Sequence, residues 1–488
     1  MNEYLGPLIN HIEKSITRRD SLGIEGVANT ISAQLCPIVN IVTPRPFYWA
    51  FITWGYWKQY QLTNKEDDIA ARKLIRRVNY YFALGNYLTH NVLSNDNFIG
   101  LSTIPADAQY QNVFEYNSRY IVNGNGDEDY LSTMAYYPPG VEYLHLAVTR
   151  DNDGQEYKQH HLTPKGEKVA LAFEKVMQQT EYGRNHVEDE EVSKSVLMEL
   201  GSIVDIRMTK FDECKKLLIQ YLFDEAMPSY DSLPKSKDYI KYTIKKFNLN
   251  EINLTVCRDR FFDAYSPRGE NNEIPEELRD QAKGWEIAIS RQYFTTGLSI
   301  IWTHVQSMLT RPLSKQQWIA ECLQSGMDVI KANDKLETVL PSFTLNSNQI
   351  ETVARSARPN SCIKRLECGL IILLAIYNRL KDRNDFNEEQ QYFMGIGEGA
   401  NISLNEFIKT VDVFKERSVK EFLAFVMDDY LIEQHLKTAF SKMVQGRDGY
   451  FIEEMEGFYT VKEPFSWDFQ GNRMVQLFSV MKDLEVLA

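Results

Sequence analysis

Apolar residues recur at helical spacing along most of this 488-residue chain, and strand-like alternation is confined to two short stretches. The clearest break in the helical pattern runs from Val141 to Gln178. There Leu144, Leu146 and Val148 alternate with Tyr143, His145 and Ala147, the period of a strand with one buried face. The turn-forming pair Asp153-Gly154 follows, and a second strand then closes on Thr163-Pro164. Thr163 can accept from the first unpaired N–H groups of a helix, and Pro164 suits the first helical position, where no N–H is needed. Val169, Ala172, Phe173 and Val176 then share one helical stripe. Strand, turn, strand and helix in that order make a wing, spanning residues 141–162, that closes directly onto an amphipathic helix.

The remaining pattern is mostly helical. Residues 3–16 and 22–36 read as helices, a third opens at Pro46 and runs to about Gln61, and Asn64 is placed to cap a fourth that ends near Leu93. The third helix carries Phe47, Tyr48, Trp49, Phe51, Trp54, Tyr56, Trp57 and Tyr60. Rings this dense suit a packed core better than a base-stacking platform. Glu188–Glu191 is an acidic break. From there to about residue 440 the periodicity is helical, and the apolar run Cys368–Tyr377 is too short to span a bilayer. Near the end, Tyr450–Glu453 and Phe458–Lys462 read as strands joined around Glu456-Gly457. Asn472 can then cap a last helix, whose apolar residues, with Trp467 and Phe469, are expected to pack on that hairpin or else to be covered by a partner subunit, the first being favoured because neighbouring elements usually pack together. The fold class expected is mainly α with small β-hairpins. Residues 1–186 form a helical domain with the winged-helix element, 192–440 a long helical middle region, and 441–488 a small α+β C-terminal unit.

Charge narrows the choice of partners. A net charge of −13 argues against a surface given over to nucleic acid or to anionic membranes, so any phosphate contact must be a local patch. Candidate patches are Arg150 and Lys158 on the wing, Lys165 and Lys168 at the helix base, Arg72 and Arg76 (with Lys73 and Arg77) on the fourth helix, and Lys237, Lys241 and Lys245 at one-turn spacing. Each is also what a solvated charged face would carry. The six cysteines contain no CxxC pair, which with the lack of a signal peptide points to a reducing cytoplasm, buried free thiols and no structural zinc.

The segment HLTPKGEKVALAFE (161–174) resembles the end of the wing and the following helix in MarR-type winged-helix proteins, where an LTxxG sequence sits at the junction. The resemblance covers about forty residues and implies a module rather than an activity. In that family the recognition helix lies just before the wing. The matching stretch here, 126–140, opens with Asp127, Glu128 and Asp129 and contains Pro138-Pro139, which departs from a phosphate-facing helix.

Catalytic signatures fail on context. Gly395–Ala400 matches GxGxxA but follows a helical rather than a strand pattern, and Ser403 with Glu406 reads as a helix capping box. No P-loop, HExxH or GxSxG sequence is present. His435-Leu436-Lys437 begins an HxK motif, but Lys442 stands where an aspartate is required. Glu156-Tyr157-Lys158 resembles the ExK of restriction-type nucleases, with Asp127, Asp129, Asp151 or Asp153 as metal partners; an exposed hairpin strand would carry the same residues. His160 and His161 point to opposite sides of a strand and cannot share a metal.

Taken together, LGIEGVANTISAQLCPIVNIVTPRPFYWAFITW, HLTPKGEKVALAFE and YLIEQHLKTAFSKMVQGRDGYFIEE resemble a poorly characterised family of large bacterial proteins encoded among restriction and antiphage-defence loci. That resemblance implies a cytoplasmic prokaryotic protein working beside other defence subunits. The expected function is a non-catalytic winged-helix sensor or adaptor that needs no cofactor, docks partner proteins and contacts double-stranded DNA at most locally. A DNA-binding regulator and a metal-dependent nuclease are the alternatives.

Overall fold

The aromatic-rich stretch after Pro46 becomes a helix buried on every side, and half of the chain is organised around it. A computed structural model describes residues 20–39, 45–91, 98, 104, 107–116, 138–150, 156–225, 232–263, 274–324, 327, 330–358, 364–397, 402–446, 449–469 and 471–487. The expected helix at 3–16, the wing turn at Asp153-Gly154 and most of the stretch 126–140 lie outside them. The chain is mainly helical with small antiparallel sheets. It divides into two units: a wing unit of Cys36–Tyr242 with Arg473–Ala488, and a helical unit of Met1–Leu35 with Thr243–Asn472. These limits differ from the three-part division that the sequence suggests.

The described chain begins with α1 (Glu25–Leu35), in the helical unit. In the wing unit, α2 (Phe47–Thr63) buries every residue from Phe47 to Tyr56. It shows no apolar stripe because helices surround it rather than flank it. The Phe47 ring lies 5.2 to 5.9 Å, centroid to centroid, from Phe51, Phe82, Phe98, Phe173 and Phe211, most of them edge-on. Asn64 does not cap the next helix. It ends α2 in the left-handed conformation at φ 53°, its N–H donating to the Tyr60 carbonyl. Asp67 caps α3 (Asp68–His90), its carboxylate accepting from the Ile69 and Ala70 N–H groups at 2.9 and 3.0 Å. The acidic Glu188–Glu191 run is not a break between units. Its last residue opens β4 (Glu191–Ser193), which pairs antiparallel with β1 (Val113–Glu115) inside the wing unit.

The first wing strand is shorter than the alternation suggests. Pro138–Tyr143 forms a one-and-a-half-turn helix, α4, and His145 then takes a left-handed φ of 51°. The strand β2 begins only at Ala147 and ends at Arg150, pairing with β3 (Glu156–Leu162). The alternation misled because Leu144, Leu146 and Ala147 are all buried, the first two at a turn rather than on one face of a strand. The helix α5 (Pro164–Met177) buries Val169, Ala172, Phe173 and Val176 as its stripe requires. Beyond it lie α6 (Lys194–Ile203), α7 (Asp212–Ile219) and α8 (Ser232–Phe247). α3 and α6 meet on facing glycines: a Cβ at Gly201 would stand 2.2 Å from the Gly85 carbonyl oxygen.

The helical unit is centred on α9 (Glu276–Ser307) and α10 (Arg365–Leu380), both buried along most of their length. Glu286 of α9 is fully enclosed and held by Arg379 at 2.7 Å and by Arg383. Burial raises its pKa despite the two guanidinium groups. The second hairpin is present as expected: β6 (Ile452–Met455) and β7 (Phe458–Val461) flank Glu456 and Gly457, both at positive φ as a two-residue turn requires. Its further partner is a strand, β5 (Leu313–Ser314), which pairs with β7. The last helix, Arg473–Asp483, does bury Leu477, Val480 and Met481, but it belongs to the wing unit. There Arg45 pairs with Asp483 at 2.9 Å, Lys215 with Glu485 at 2.5 Å, and Arg473 donates to the Val39 carbonyl. The expected packing of this helix on the hairpin is therefore replaced by ties to residues far earlier in the chain.

Gly201→Ala should lower wing-unit stability by about 1–3 kcal/mol, because its methyl group meets backbone rather than a movable side chain. Urea denaturation followed by tryptophan fluorescence measures this; an unchanged midpoint contradicts the glycine contact.

Candidate functional site

The wing meets its helix through backbone contacts. Thr163 caps α5 by accepting from the Gly166 N–H at 3.1 Å, and its hydroxyl donates to the His145 carbonyl. Its own N–H donates to the Leu146 carbonyl. That carbonyl lies so close to α5 that a Cβ at Gly166 would stand 1.8 Å from its oxygen. The threonine and glycine of the LTxxG segment thus each have a physical role here, as cap and as close approach.

A second clamp holds β3 against α3. The Asp68 carboxylate accepts from both the backbone N–H and the Nδ1 of His160, at 2.9 and 2.6 Å. The Asp68 N–H donates to the Gln159 side chain at 2.6 Å. The other ring nitrogen of His160, Nε2, lies 3.0 Å from Glu142 of α4 but off the line of a hydrogen bond. The ring stacks on Tyr56 at 4.7 Å between centroids. Burial pushes the Asp68 carboxyl up, but the His160 hydrogen bonds and the His160 and Arg72 charges outweigh it, leaving the group below its ordinary pKa. A His–Asp pair of this kind orients an imidazole for catalysis only when Nε2 faces a nucleophile or substrate. Here Nε2 faces a carboxylate, so the ring works as a strut. His161 turns the other way, to Glu66 at 2.8 Å.

Beside this clamp lies a cleft of about 290 Å³ lined by α2, the α2–α3 corner and the β3–α5 junction. Tyr56, Trp57 and Tyr60 supply aromatic walls, and Glu66, Asp67, Asp68 and Glu167 supply carboxylates. The basic residues singled out from the sequence are dispersed. Lys165 pairs with Glu225 at 2.7 Å and lies over the Tyr221 ring at 4.8 Å. That contact is the main cause holding the Glu225 carboxyl below its ordinary pKa. Lys168 is exposed. Arg72 and Arg76 are half-buried, so they are not the solvated face that their spacing suggests. On α8, Lys237 lies over Phe223 while Lys241 and Lys245 are exposed; Lys245 falls in the helical unit and the other two in the wing unit. β2 and β3 place Arg150 opposite Glu156 in backbone register, but the side chains of Arg150, Glu156 and Lys158 lie outside the described residues.

The other motifs resolve into packing. Glu388–Gly395 is a helix, not the strand a dinucleotide fingerprint needs, and Ser403 with Glu406 forms the expected capping box. His435 is wholly buried. It donates from Nδ1 to the Ser21 carbonyl at 2.9 Å, accepts at Nε2 from the Phe451 N–H at 3.2 Å, and stacks near Trp302. Both nitrogens are committed, so the HxK reading has no free base. Cys36, Cys214, Cys257, Cys322 and Cys368 are buried free thiols, with burial pushing Cys36 and Cys322 up to about 12. Cys362 lies outside the described residues. Among the described residues no cluster of three His, Cys, Asp or Glu side chains is placed to hold a metal, and no helix is long and apolar enough to cross a membrane. No family model, curated protein or solved structure matches the chain.

The sequence did not single out Asp68, Glu142, Tyr56, Trp57, Tyr60 or Glu66 as site residues. Asp68 and Glu142 reach His160 from separate helices, so no local spacing signals the clamp.

Asp68→Asn and His160→Gln should each loosen β3, with a coupling of about 1 kcal/mol in a double-mutant cycle, kept small because Asp68 is partly solvated. Additive effects contradict the clamp. Burial, reinforced by the Lys442 charge, lowers the His435 pKa from its ordinary 6.5 to about 4. The unfolded chain therefore takes up a proton below about 6.5 that the folded chain refuses until about 4. The stabilisation from neutral His435 is complete above pH 6.5 and falls on acidification toward pH 4, by on the order of 3 kcal/mol. Urea denaturation between pH 7 and 4.5 measures it, and an equal pH dependence in His435→Gln contradicts the assignment.

Proposed function

We propose that this protein is a non-catalytic subunit that docks partner proteins through its winged element, acting as sensor or adaptor in a bacterial antiphage defence complex. The defence setting rests on the loose sequence resemblance alone. The docking reading rests chiefly on one observation: three lysines on and beside α5, though not Lys168, are already engaged by carboxylates of the same unit. Lys165 is held by Glu225, Lys58 by Glu174 and Lys175 by Glu213, at 2.7 to 2.8 Å. A phosphate backbone arriving here would have to displace those carboxylates and then face Glu66, Asp67 and Glu167. Affinity for DNA comes mainly from cations that exchange counterions for phosphates, and Lys165, Lys58 and Lys175 are not free for that exchange. A protein partner meets no such penalty.

A second reading, contact with duplex DNA, is favoured by the exposure of Lys168, Lys241 and Lys245. Co-expression with the products of neighbouring genes, followed by size-exclusion chromatography with mass measurement, should give a defined complex. A strict monomer that co-elutes with none of them contradicts docking. In a duplex DNA titration at graded salt, Arg150→Glu with Lys168→Glu should change neither affinity nor salt slope. A steep loss of both would favour the DNA regulator.

A further inference from the structure

We propose that the cleft between the C-terminal half of α2 and the β3–α5 junction is a binding site for an organic cation, a guanidinium or ammonium group. Trp57 and Tyr60 stand one helical turn apart, on the same side of α2. Tyr60 is 41% exposed, a large ring left in water where a guest would cover it. Tyr56, stacked on the clamped His160, adds a third ring that the clamp holds in place. Aromatic faces attract cations through their quadrupoles, and rings grouped this way are suited to ammonium and guanidinium heads.

The charges agree with the rings. Four carboxylates line the cleft and, among the described residues, no lysine or arginine does, although the Arg72 charge acts on Asp68 and Tyr56 from beside it. Asp67 and Asp68 are occupied by the α3 cap and by His160, and Glu66 by His161. Glu167, in the first turn of α5, is exposed and has no ion pair among the described residues. A cation seated on Trp57 and Tyr60 would meet Glu167 as its counter-charge, with the others adding a negative field. Tyr56, only 5% exposed, lines the cleft as a ring fixed in the core. The volume of about 290 Å³ suits one side-chain head or small amine rather than a nucleotide cofactor. An anion would meet four carboxylates, and a wholly apolar guest would desolvate them without return.

The same chemistry has two sources, an arginine or lysine side chain of a partner or a free small amine, and the test separates them. Calorimetric titration of the full chain with agmatine, with arginine amide and with its neutral isostere citrulline amide is the first arm. Agmatine and arginine amide should bind, citrulline amide should not, and affinity should fall with salt. Glu167→Gln and Tyr60→Ala lie at the exposed rim and should leave the circular dichroism unchanged while each weakens binding by about tenfold. A second arm compares a short arginine-containing peptide with agmatine. Tighter binding of the peptide identifies a partner side chain as the guest, and tighter binding of agmatine a free amine. The site is overturned if neither cation binds, if citrulline amide binds as well as arginine amide, or if both variants bind like the parent. None of these outcomes alters the co-elution test of partner docking, so the two readings can fail separately.

Discussion

The contact between the Leu146 carbonyl and the first turn of α5 sets the geometry of the wing unit. Only a glycine at position 166 lets the helix lie that close to the backbone. With α5 fixed there, its apolar stripe faces Phe47 and the rings around it, so Phe173 reaches 5.5 Å from Phe47 and 4.8 Å from Phe211. The same placement directs β3 across the start of α3, where Asp68 catches His160 twice. Core, strut and cleft are therefore consequences of one junction. Loosening that junction would disturb all three at once, unlike a change at the wing tip.

Electrostatics give the unit its character. Several carboxylates near the wing have structural work: one caps α3, one clamps His160, and others neutralise lysines on α2 and α5. What is left over is negative. In a chain with a net charge of −13, Glu167 stands without an ion pair among the described residues beside the exposed Tyr60 ring, a setting that suits the proposed cationic guest. The hairpin β2–β3 and α5 follow one another in the order of a wing and its helix, and carboxylates gather at their junction.

Features built from neighbouring residues were legible in the sequence. The α5 cap and stripe, the Ser403–Glu406 capping box and the Glu456-Gly457 turn depend on residues a few positions apart, so periodicity and turn chemistry reveal them. Features built across the chain were not. Leu144 and Leu146 are buried at a left-handed turn, which imitates the alternation of a strand and led to a first wing strand that was too long. Asn64 and Asp67 are both good caps, and only the left-handed end of α2 decides that Asp67 takes the role. The last helix was expected on the nearest hairpin, yet it is tied to Val39, Arg45 and Lys215, contacts that no local pattern encodes. The cleft is the same case: its aromatic wall was visible as a core helix, while its carboxylates come from two other elements.

The central claim is that the rigid, acidic base of the wing is the docking face. Hydrogen–deuterium exchange of the full chain, alone and in complex with a co-purifying subunit, tests it most directly. The account predicts slower exchange on complex formation in residues 56–68 and 159–168, around the α2–α3 corner and the β3–α5 junction. Unchanged exchange in both segments, with protection appearing only on α8 or in the helical unit, would contradict it.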